Sequence, residues 1–110
     1  MSQMTPRTLQ ILLALLEGPL HGYGIKQAVE ERTDGRVRLG SGTLYEAIHR
    51  LVEAGHIREV PAPPSEPSSG GPPRRFYALT ESGREGLAEE VRRLDSLVAY
   101  AKARDLLPES

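Results

Sequence analysis

Ser41-Gly42-Thr43-Leu44-Tyr45-Glu46-Ala47-Ile48-His49-Arg50-Leu51-Val52-Glu53-Ala54-Gly55-His56-Ile57 reads as one amphipathic helix whose outer face is left free for a partner. Leu44, Ile48, Leu51 and Val52 recur at helical spacing and predict a core-facing stripe. Ser41 is placed to cap the start and Gly55 to end the helix. That leaves Gly42, Thr43, Tyr45, Glu46, His49 and Arg50 near the first turns, where small, hydroxyl-bearing and cationic groups can meet phosphate or base edges. A helix that reads the major groove presents its N-terminal end in this way.

Upstream, Thr5-Pro6 predicts a helix start, with Thr5 as cap and Pro6 in the first turn, where its missing N–H costs nothing. Gly18-Pro19 predicts its stop. Between them Leu9, Leu12, Leu13 and Leu16 form one face and Ile11 and Leu15 a second stripe, so this helix is expected at the centre of the core. His21-Gly22-Tyr23-Gly24 leads into a second helix through about Thr33, with Ile25 and Val29 inward, and Asp34-Gly35 breaks it. An extended piece, Arg36 to Leu39, precedes Gly40 and the third helix. Short connections between three helices, the third with a polar leading end, give the helix-turn-helix layout.

Downstream, His56 to Val60 and Arg74 to Leu79 read as two strands of a hairpin, or wing, spanning 56–79. Its tip, 61–73, is too rich in proline, glycine and serine to bury anything and is expected to be exposed and mobile. Thr80 then caps a last helix running to about Asp105. Leu87, Val91, Leu94, Val98 and Ala101 recur at alternating spacings of four and three, a heptad seam that Leu97 widens. The seam wants a partner helix, or it packs back on its own domain. The expected class is mainly α with a small β-hairpin: a winged helix-turn-helix over residues 1–80, then a C-terminal dimerisation helix and tail over 81–110.

A chain of 110 residues is one domain, and size scaling lets it bury roughly 65% of its unfolded surface. With no cysteine, disulfides, thiolate metal sites and cysteine nucleophiles are excluded, which suits a reducing cytoplasm. The most apolar run, Leu9 to Leu16, is far short of the roughly 20 residues of a membrane span, so a soluble protein without a membrane partner is expected. Net charge is -1, but residues 1–80 hold nine Lys/Arg against eight Asp/Glu while residues 81–110 hold five against seven. The basic patch around the third helix and the wing is therefore modest.

Four stretches resemble a known family: Leu-Glu-Gly-Pro-Leu-His-Gly-Tyr-Gly-Ile at 16–25, Gly-Ser-Gly-Thr-Leu-Tyr at 40–45, Arg-Leu-Val-Glu-Ala-Gly-His-Ile at 50–57, and Gly-Gly-Pro-Pro-Arg-Arg-Phe-Tyr-Ala-Leu-Thr-Glu-Ser-Gly at 70–83. In that order they resemble the PadR family of bacterial transcriptional regulators, in its compact branch with a single C-terminal helix. The resemblance implies a winged-helix dimer that usually represses by binding a pseudo-palindromic double-stranded DNA operator. It also implies that Ser41, Gly42, Thr43 and Tyr45 enter or border the major groove, that Tyr23 and Lys26 approach the backbone, and that Arg74 and Arg75 anchor the wing. Glu46 departs from the proline often found there; an acidic group opposes phosphate but can accept from a cytosine amino group.

His21, His49 and His56 do not have the spacing of a metal site, and neither a cofactor fingerprint nor a catalytic constellation can be assembled, so no cofactor and no enzyme activity are expected. Tyr77 reads as wing packing. A small-molecule effector stays open, because Tyr100 is the one aromatic group on the last helix. The rival function is a winged-helix protein–protein interaction module, since this fold serves both purposes.

Overall fold

The computed structural model describes residues 4–64 and 74–108. Its element order is α1 (Pro6–Ala14), β1 (Leu20–His21), α2 (Gly22–Arg32), α3 (Ser41–Glu53), β2 (Ile57–Val60), β3 (Phe76–Leu79) and α4 (Glu81–Ala103). The chain is mainly helical, with a three-stranded antiparallel sheet in the order β1-β3-β2: a winged helix.

Local chemistry sets most helix ends. Thr5 caps α1 by accepting from the Thr8 N–H at 3.1 Å, with Pro6 in the first turn. The helix ends earlier than the Gly18-Pro19 stop, at Ala14, and Leu16, expected on its apolar face, is exposed. At the far end of α3, Gly55 takes φ +81, its N–H reaches the Val52 carbonyl and the His56 N–H reaches the Leu51 carbonyl. That pair of bonds is a Schellman stop, which needs a left-handed residue and so favours glycine. Ser41, expected to cap α3, is instead its first helical residue; Gly40 is the cap, extended and with no side-chain bond, and its carbonyl accepts from the Leu44 N–H.

The core gathers Ile11, Leu12 and Leu15 of α1 and its following turn, Ile25 and Val29 of α2, Leu39, Leu44, Ile48 and Leu51 around α3, and Ile57 and Tyr77 of the sheet. Val52, expected in the α3 stripe, lies at its margin and is exposed. Arg32, at the end of α2, ties back to α1 by donating to the Gln10 backbone carbonyl at 2.8 Å and to its side-chain oxygen at 2.7 Å.

The expected hairpin gains a third strand. β1 pairs with β3 through Leu20 opposite Tyr77 and His21 opposite Phe76, while β2 pairs on the other edge from Ile57 opposite Leu79 to Val60 opposite Phe76. Of the expected wing tip, residues 61–64 carry no strand or helix, and residues 65–73 lie outside the described residues.

Thr80 joins the wing to α4: its hydroxyl accepts from the Gly83 N–H at 3.0 Å and donates to the Gly55 carbonyl. Gly83 packs so closely on His56 that a Cβ there would overlap the His56 carbonyl oxygen and stand 2.8 Å from its carbonyl carbon. One turn on, Leu87 is only 3% exposed and belongs to this chain's own core. This corrects the seam, because Leu87 has no surface left for a partner. Val91, Leu97 and Val98 are exposed, at 42%, 54% and 41%, and Leu94 and Ala101 are half-buried. Among the described residues no helix is long and apolar enough to cross a membrane.

Candidate nucleic-acid interface

The leading turn of α3 holds Ser41, Gly42 and Thr43, all exposed. With Gly40 offering no side-chain acceptor, the first N–H groups of the helix have no side-chain cap, and the positive end of the helix dipole faces outward with them. A Cβ on Gly42 would meet nothing within 4 Å, so packing does not require glycine there.

Beside this turn runs a cleft of about 500 Å³ lined by His21, Gly22, Tyr23, Tyr45, Arg74 and Arg75. It brings together residues from the start of α2, the first turns of α3 and the base of the wing. The Tyr45 ring lies over the first residue of α2, where a Cβ on Gly22 would come within 2.9 Å of its hydroxyl oxygen, so glycine admits the ring. Tyr23 is exposed and accepts weakly from the Gln27 amide at 3.4 Å. Lys26, one turn further along α2, is half-buried and does not line this cleft.

His21 and Gly22 are the two cleft residues that the sequence reading did not assign. His21 caps α2, its Nδ1 accepting from the Gly24 N–H at 2.9 Å, and its ring meets Phe76 edge-on with centroids 5.1 Å apart. The other ring nitrogen, Nε2, stands 2.9 Å from Arg74 Nη1, a contact whose donor and acceptor depend on the ring tautomer, and it ties the start of α2 to the base of the wing. The donor to the cap is a backbone N–H that any residue but proline supplies, and histidine is not among the usual N-cap residues, so no local signal marked this cap. Arg75 is exposed and stands 4.0 Å from Glu59 on β2. Tyr77 is 6% exposed, as expected for wing packing. Burial pushes its phenol above the ordinary value, the Glu59 carboxylate adds to the shift, and Arg75 opposes it.

The remaining α3 candidates make two side-chain contacts along the exposed side, one of them the Glu46–Arg50 ion pair. Arg50 Nη2 meets Glu46 Oε1 at 2.9 Å, and His49 Nδ1 lies 3.3 Å from Glu53 Oε1. Both pairs span one helical turn, and an exposed pair of this kind is worth only about 0.3–0.5 kcal/mol.

Residues 11–89 match the model of the transcriptional regulator PadR-like family, more than half the chain. The chain belongs to that family. The matched stretch of this PadR-like regulator contains the whole cleft and α3, and ends within α4 before Val91. A 37.1 kDa protein of unknown role in transposon TN4556 of Streptomyces fradiae is 38% identical over 81 residues, 74% of this chain but 21% of that protein. The chain thus spans about a fifth of that relative's length. A PadR family transcription regulator from Clostridium difficile is 25% identical with a TM-score of 0.67, over 91% of this chain and 97% of that one. PadR of Bacillus subtilis, solved in complex with operator DNA, shares the fold at a TM-score of 0.68 and 23% identity, over 80% of this chain and 48% of that one.

Proposed function

We propose that this PadR-like regulator binds double-stranded DNA sequence-specifically as a homodimer and represses transcription in the cytoplasm. The observation that carries the reading is the uncapped, exposed leading turn of α3 set beside a cleft in which Tyr23, Tyr45, Arg74 and Arg75 converge. Membership of a family of transcriptional regulators supports it, as does the shared fold with a PadR solved on its operator. In this reading Ser41, Gly42 and Thr43 meet the groove, Tyr23, Tyr45, Arg74 and Arg75 meet the phosphate backbone, and two copies place their α3 helices in half-sites about 34–36 Å apart. Repression then needs only occupancy of a promoter.

The test separates positioning from base reading. Phosphate contacts are blind to sequence and release counterions, so Arg75→Ala, which removes two contacts from a dimer, is expected to flatten the slope of log affinity against log salt by about 1.8. Operator and random DNA weaken alike. Thr43→Ala is expected to erode the preference for operator by about 1–3 kcal/mol per misread base pair with little change in slope. Fluorescence-anisotropy titrations against DNA upstream of the protein's own gene read both. Absence of salt-dependent binding by the unaltered protein, down to about 50 mM salt, sinks the reading. The net charge of -1 then favours an interaction module.

A further inference from the structure

We infer that Glu46 and Arg50 act as one unit that reads a C·G base pair, Glu46 accepting from the cytosine amino group and Arg50 donating to the guanine. The inference rests on the DNA-binding reading above and supplies its base preference. Leu44, Ile48 and Leu51 form the buried stripe of α3. At 3.6 residues per turn Glu46 lies nearly diametrically across the helix from that stripe, with Gly42 one turn before it on the same side. A carboxylate therefore stands at the middle of the face that would enter the groove. It is not withdrawn, for the side chains of Glu46 and Arg50 are 68% and 77% exposed.

A carboxylate facing a polyanion is repelled by every phosphate, and the favourable partners that a major groove offers it are the amino groups of cytosine and adenine. Arg50 selects between the two. Opposite cytosine stand the guanine O6 and N7, a double acceptor for a guanidinium; opposite adenine stand a single thymine oxygen and a methyl group. In a C·G pair the cytosine amino group and guanine O6 are immediate neighbours, bonded to each other. They match a carboxylate and a guanidinium already held 2.9 Å apart. The ion pair engages Glu46 Oε1 and Arg50 Nη2, so the second carboxylate oxygen and the remaining guanidinium hydrogens are the groups left to face the bases. The carboxylate of the other pair, Glu53, is the last residue of α3, about two turns beyond Glu46 and far from the N-terminal turns that reach base edges.

The experiment is selection from a randomised duplex library, followed by titration of the selected duplex with single base-pair changes. The proteins are the full chain and its Glu46→Gln and Glu46→Ala variants. For the unaltered protein, replacing one C·G pair symmetrically in each half-site is expected to weaken binding about tenfold per half-site. Glu46→Gln is expected to raise the tolerance of A·T at that position, because glutamine pairs with adenine N6 and N7, while the Arg50 contact to guanine still favours C·G. Glu46→Ala is expected to reduce the discrimination there to what Arg50 alone reads on guanine, while the salt slope and the melting temperature hold. If Glu46→Ala keeps the same base profile, or strengthens operator and random DNA equally, Glu46 is only a repulsive surface charge and the inference is overturned, while DNA binding itself stands. If the unaltered protein binds no duplex in a salt-dependent way, both fall.

Discussion

Gly83→Ala is expected to lower the melting temperature by about 10 °C or more, whereas Gly86→Ala, three residues along the same helix, is expected to raise it slightly. The difference lies in what each new methyl group meets. On Gly83 it overlaps the His56 carbonyl, which is backbone and accepts from the Thr80 N–H at 3.1 Å, so neither side can yield alone. Overpacking costs about 1–3 kcal/mol, and more when backbone must move. Against this, alanine gains at most about 1 kcal/mol of helix propensity. A net loss of about 2 kcal/mol corresponds to about 8–16 °C in a domain of this size. On Gly86 the methyl meets only the Met4 side-chain end at 3.6 Å, an ordinary contact, so the propensity gain survives. Circular-dichroism melts at one fixed protein concentration measure both, since association shifts the midpoint. Equal melting of the Gly83 variant and the unaltered protein would contradict the packing of α4 on the wing.

That packing also marks where local signals stop being informative. Caps and stops are local chemistry, so Thr5, Gly55 and Thr80 were legible as helix ends, as were the wing strands from their β-forming residues. Ser41 was not, because Gly-Ser-Gly permits two registers one residue apart and only the extended backbone of Gly40 selects one. β1 is two residues long and carries no alternation; it exists because β3 offers an open edge. Heptad spacing finds an apolar seam without saying which chain covers it. Leu87 follows Gly83 by one turn, where α4 still lies on the core, so its own domain buries it. The cleft was legible in its tyrosines and arginines but not in His21, whose imidazole works as a cap and whose place beside Arg74 depends on β1. Glu46 and Arg50 stood out as exposed candidates, yet which carboxylate takes which cation is a matter of geometry.

The second large effect is expected from Val98→Asp combined with Leu94→Asp: loss of the proposed dimer and a fall in operator affinity of about 10²–10⁴-fold. After Leu87 is assigned to the core, the exposed apolar groups on the distal part of α4 are Val91, Leu97, Val98 and Tyr100, with Leu94 half-buried among them. Leu106 and Leu107, exposed just beyond the helix, extend the same apolar content. Burying a side chain of this size is worth about 1.5–3 kcal/mol. Two carboxylates in such a seam would each be desolvated against a symmetry-related copy, which reverses the sign of the association energy. Neither Leu94 nor Val98 belongs to the core of the single chain, so sedimentation is expected to show a folded monomer with an almost unchanged circular-dichroism spectrum. Operator binding suffers because the second half-site is then no longer an intramolecular event, and the avidity of linked sites, about 10²–10⁴-fold, disappears. Binding to a single half-site is expected to persist with about half the salt slope, because half the phosphate contacts remain. A variant that sediments as a dimer would remove the distal part of α4 from the proposed interface. A monomer that binds operator as tightly as the parent would show that one α3 helix suffices.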